Sequence, residues 1–116
     1  GGEKGYPQAV LVAKKSFIQG NGEWINSFIS EMEGAAEWLK TAEPSLIVSA
    51  VSRHLTEGMT PAFTEKNLSQ AVISHCGIRF ETAAVYKTEV NAFLDKMIAV
   101  SPVSAAKVAE EFYYHA

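Results

Sequence analysis

The chain has 116 residues, a net charge of −3, 47% hydrophobic residues and 20% charged ones. That composition excludes an intrinsically disordered chain and fits one globular domain, residues 1–116, which should bury roughly two thirds of its unfolded surface. The acidic balance, with no basic stripe, excludes an ordinary nucleic-acid binder, and a single cysteine, Cys76, excludes an intrachain disulfide and a cysteine-based zinc site.

The apolar runs fall far short of the ~20 residues of a membrane span. These residues contain no charged start, apolar core and cleavage site of a signal peptide. The opening Gly1-Gly2-Glu3-Lys4-Gly5 reads as flexible. From Tyr6 to Ile18 comes the one long apolar, β-branched run. Val10, Leu11 and Val12 in succession predict a strand buried on both faces. Such a strand must pair, because unpaired backbone N–H and C=O groups are costly to bury.

Almost everything after it has helical spacing. Asn21, between Gly20 and Gly22, is a fair N-cap. A helix is predicted from Gly22 to Lys40, with Ile25, Phe28, Ile29, Met32, Ala36 and Leu39 on one face. Trp24 and Trp38 flank that face, Glu23, Glu31, Glu33 and Glu37 occupy the rest, and Lys40 suits the last turn. Pro44 opens a second helix with Leu46, Ile47, Ala50, Val51 and Leu55 inward, ending at Glu57-Gly58. After a loop, Thr64 caps a third, whose inner face is Leu68, Ala71, Val72 and His75 and whose closing glycine is Gly77.

Ile78-Arg79-Phe80-Glu81 alternates apolar and charged residues and predicts a short extended segment, the internal partner available to the first strand. A fourth helix follows over Ala83 to Val100, with Tyr86, Val90, Phe93, Leu94, Met97 and Ile98 on its stripe. Ser101-Pro102 opens a short fifth helix carrying Ala105, Val108, Ala109 and Phe112. The expected class is α+β, mostly helical: about five helices with one or two short strands.

Chemistry-bearing patterns are few. Gly20-Asn21-Gly22 sits where a phosphate loop would, but the dinucleotide fingerprint needs a small residue where Ile25 stands, so a plain turn is the better reading. His75-Cys76 is the one nucleophile-like pair. Adjacent helical residues do not face one another, and no orienting acid is placed nearby; Asp95 is the only aspartate. His54, His75 and His115 lack ligand spacing. Twelve of the 13 acidic residues are Glu, spread over helix faces as solvated surface. No catalytic residue, metal site or cofactor is expected. Arg79, one of two arginines, follows a glycine in an extended segment, where it can offer a guanidinium to an anionic ligand or simply face water.

The order of these pieces resembles bacterial ABC-transporter substrate-binding proteins of the nitrate/sulfonate/taurine type. The run Tyr6-Pro7-Gln8-Ala9-Val10-Leu11-Val12-Ala13-Lys14-Lys15-Ser16-Phe17-Ile18 is similar to the strand that leaves the second lobe there. Trp24-Ile25-Asn26-Ser27-Phe28-Ile29 and Ala35-Ala36-Glu37-Trp38-Leu39 are similar to the long helix after it. Gly77-Ile78-Arg79-Phe80, then Glu89-Val90-Asn91-Ala92-Phe93-Leu94, resembles the C-terminal helix, and Glu110-Glu111-Phe112-Tyr113-Tyr114 the aromatic ending.

The resemblance implies a partial lobe of a type II periplasmic-binding-protein fold, the C-terminal portion of a longer two-lobed protein. It implies no enzyme, but capture of a small solute, anionic if Arg79 meets it, and delivery to ABC permease subunits in the membrane. Tyr6 and Arg79 are the ligand-contact residues it suggests. It also implies an extracytoplasmic location with a lipid anchor outside these residues; Cys76 is internal and cannot be that anchor. Asn21-Gly22 stands where the family often has Asn-Pro. Surface left bare by missing lobes suggests a homodimer. The alternative is a stand-alone helical protein-interaction module.

Overall fold

The computed structural model describes residues 7–115, and Tyr6 lies outside them. The order is α1 (Lys15–Gly20), α2 (Gly22–Thr41), α3 (Pro44–Ser52), α4 (Gln70–Cys76), α5 (Ala83–Val100) and a 3₁₀ turn at Glu110–Phe112. Among the described residues there is no strand. The mostly helical class holds; the β component of the α+β expectation does not.

Both expected strands are corrected. Residues 9–13 are irregular and solvent-exposed, with Val10, Leu11 and Val12 at 68%, 75% and 68% accessibility. From Lys14 onward the same run winds into α1, where the Phe17 and Ile18 amides donate to the Lys14 carbonyl. Ile78-Arg79-Phe80-Glu81 is irregular. A strand satisfies its backbone only through another strand, whereas a helix does so within itself. With no strand beside Val10–Val12 among the described residues, β-propensity has nothing to act on.

The helix count agrees with expectation, but the identities shift at both ends. Helix α1 replaces part of the expected strand. The expected fifth helix is absent: Pro102 enters a turn closed by Ser104 N–H on the Ser101 carbonyl, and only Glu110–Phe112 later forms a 3₁₀ turn. Helix α3 stops at Ser52 rather than running to Glu57; Gly58, at φ +84°, then supplies the left-handed position of a turn closed by Met59 N–H on the Thr56 carbonyl. Thr64 does not cap a helix. Its own N–H donates to Asn67 Oδ1 at 2.6 Å, and the cap passes to Ser69, whose Oγ accepts from Val72 N–H at 3.2 Å.

The described residues form two compact units, and the boundary falls inside α2 after Ile29. The unit Ser30–Phe80 holds the later turns of α2 with α3 and α4. Its core is Ala42, Ile47 and Ile73, with Leu39 and Leu68 packed against them. The buried face of α4 is therefore set by Ile73; Ala71, Val72 and His75, expected inward, are exposed. Helix α4 starts at Gln70, where the side-chain Nε2 donates to the Ala42 carbonyl and ties α4 to the residue after α2.

The other unit holds α1, the first turns of α2, α5 and the aromatic tail. Trp24 stacks on Phe28 at 5.5 Å and meets Phe17 edge-on at 5.8 Å. Tyr86 of α5 is buried, and so is Tyr113 of the tail. Lys87 pairs with Glu110 and lies 5.7 Å from the centroid of the Tyr113 ring.

Candidate functional site

The groove that involves a sequence-designated residue lies wholly in the unit Ser30–Phe80. Three local features build it. Helix α2 ends at Thr41 and brings Leu39 and Lys40 to one wall. Helix α4 supplies Gln70, Ile73 and Ser74. Gly77, at φ +59°, ends α4 in the left-handed conformation that a side chain would strain, and this reversal sets Ile78 and Arg79 along the remaining wall.

The groove is shallow and open to solvent, with a volume of about 270 Å³, slightly below the range of ligand pockets. Leu39, Ile73 and Ile78 make it mainly apolar, while Lys40, Arg79, Gln70 and Ser74 contribute the polar groups. Lys40 also pairs with Glu37 one turn earlier, and both of those side chains are largely exposed. An exposed pair of that kind is weak enough to yield to a competing anion. Chemically, the arrangement can receive a small anion with an apolar portion.

Of the two expected ligand residues, Arg79 is exposed and lines this groove, and Tyr6 lies outside the described residues. Sequence reasoning missed Lys40, Gln70 and Ser74. Lys40 carried a signal, its place at a helix C-terminus, but one that pointed only to the helix dipole. Gln70 and Ser74 carried none, because their role depends on how α4 packs.

The remaining sequence candidates resolve into ordinary structure. His75 Nδ1 lies 2.7 Å from the Ala71 carbonyl, turned back along its own helix, and Cys76 is an exposed free thiol beside it. Asn21 follows α1 as its C-cap; its carboxamide donates to the Phe17 carbonyl at 2.8 Å, while its own carbonyl accepts the first bond of α2 from Ile25. Among the described residues no three His, Cys, Asp or Glu side chains gather as a metal site. Nor is any helix long and apolar enough to cross a membrane. No family model, no curated protein and no solved structure matches the chain.

Proposed function

We propose that this chain is the C-terminal portion of the solute-binding component of an ABC importer, capturing a small anionic solute for delivery to a membrane permease. The observation that carries the proposal is the Arg79 groove, in which the one arginine picked out by sequence stands with Lys40 over an apolar floor. The order of the sequence motifs supports it as well. The expected strand within the chain gives it no support, since residues 9–13 pair with nothing described here.

The physical work is lobe closure, driven by tighter binding of solute to the closed state. No bond is made or broken and no cofactor takes part. The whole protein is extracytoplasmic, held to the membrane by a lipid anchor outside these residues. The chain alone carries only one wall of the cleft and binds solute weakly.

Two measurements test this. The upstream reading frame should continue into a signal peptide and a first lobe; a start codon immediately before Gly1 would refute the proposal. In the extended protein, Arg79→Ala should weaken anion binding at least about tenfold, the effect of losing a charge-assisted hydrogen bond. Unchanged affinity by calorimetry removes Arg79 from the cleft.

A second reading is a helical interaction module. What favours it is the mostly helical structure with exposed Trp24 and Trp38. Tight solute binding by the extended protein would eliminate it.

A further inference from the structure

Residues 9–13 read Ala-Val-Leu-Val-Ala, the same in both directions about Leu11. The segment is irregular and its three large side chains are exposed. Among the described residues its backbone makes no hydrogen bond. Its unpaired backbone, flanked by the β-branched Val10 and Val12, is the kind that pairs with another strand once it extends.

We infer that this segment pairs with the same segment of a second copy of the chain, antiparallel, about a two-fold axis through Leu11. In that register Leu11 faces Leu11, Val10 faces Val12 and Ala9 faces Ala13, so every cross-strand pair joins residues of like size. Lys14 falls opposite Gln8, and the ribbon ends there because Lys15 opens α1. The two Lys14 side chains then lie about 20 Å apart along the ribbon, beyond the screening length at physiological salt. A parallel pairing in register would instead set Lys14 and Lys15 directly against their twins, which is repulsive.

A two-stranded ribbon is marginal by itself. Phe17 and Trp24, exposed and in edge contact in the same unit, add apolar surface close behind it in sequence. So short a ribbon is small beside the ~1,200 Å² of a stable complex. The dimer therefore forms at high protein concentration, about 10⁻⁵–10⁻³ M. The inference concerns this segment alone, and its outcome is independent of solute binding.

The test uses the 116-residue chain. Sedimentation should move from 12.6 kDa toward twice that mass with rising concentration, and Val12→Lys should hold the chain monomeric with unchanged helical circular dichroism. In a Cys76→Ser background, Leu11→Cys should form an intermolecular disulfide at least tenfold faster than Ala9→Cys or Ala13→Cys. Those two place each thiol about 13 Å from its twin, beyond disulfide reach. Mixing Ala9→Cys with Ala13→Cys should restore cross-linking. A monomer at the highest concentration, a Val12→Lys dimer like the wild type, species larger than the dimer, or equal cross-linking rates would each overturn the inference.

Discussion

The Tyr113 hydroxyl donates a hydrogen bond to the Asn91 carboxamide oxygen at 2.7 Å, joining the aromatic tail to the middle of α5. Tyr113 is only 5% exposed, and Tyr114 beside it donates to Asn26 Oδ1 of α2 at 2.9 Å. The tail is thus a structural strap of its unit, held by two phenols and the Lys87–Glu110 pair. Tyr113→Phe keeps the ring and strands a partly buried acceptor, so a loss of about 1–2 kcal/mol is expected in urea unfolding. Tyr113→Ala removes the ring too and should lose about 3 kcal/mol or more. Equal losses for the two variants would show that the ring contributes nothing.

The caps of α4 and α5 give a paired comparison. Ser69 Oγ accepts from Val72 N–H, whereas Thr82 precedes α5 without a side-chain cap bond. Ser69→Ala should cost about 1 kcal/mol and Thr82→Ala little, measured as midpoint shifts in the same denaturant.

Gly77 holds φ +59°, and a Cβ there would meet open space, so strain rather than a clash sets the cost of substitution. Gly77→Ala should lose about 1 kcal/mol, and Gly77→Asn less, because asparagine tolerates the left-handed region better. Thermal unfolding of the pair separates strain from crowding: a larger loss for Asn than for Ala would indicate a steric origin.

Ile73 is the α4 contribution to the core of Ala42, Ile47 and Ile73, and it also lines the Arg79 groove. Ile73→Ala should cost about 2–4 kcal/mol. Val72→Ala, one residue away and half exposed, should cost much less. Similar losses would mean that the α4 face is wrongly assigned.

Much of the helical layout was legible in the residues. Pro44 marked the start of α3, Gly77 the end of α4, and the Tyr86–Ile98 stripe the whole of α5, because caps, proline geometry and helical periodicity are local properties. The six-residue α1 was not legible, since Lys-Ser-Phe-Ile suits either structure and only the absence of a paired strand decides. The α4 start was missed because Thr64 and Ser69 are both competent caps, and Gln70 reaching Ala42 selects the second. Arg79 stood out by its rarity, but its companions Lys40 and Ser74 did not.

Taken by itself, the order of residues determined the helical character, the turn glycines and the acidic balance. Tertiary structure alone decided that Val10–Val12 stay bare, that Ile73 rather than Val72 faces inward, and that Lys40 and Arg79 line one groove. The division has a physical cause. A helix closes its hydrogen bonds among residues a few positions apart, whereas a strand, a core face and a groove each depend on groups that the chain brings close only by folding.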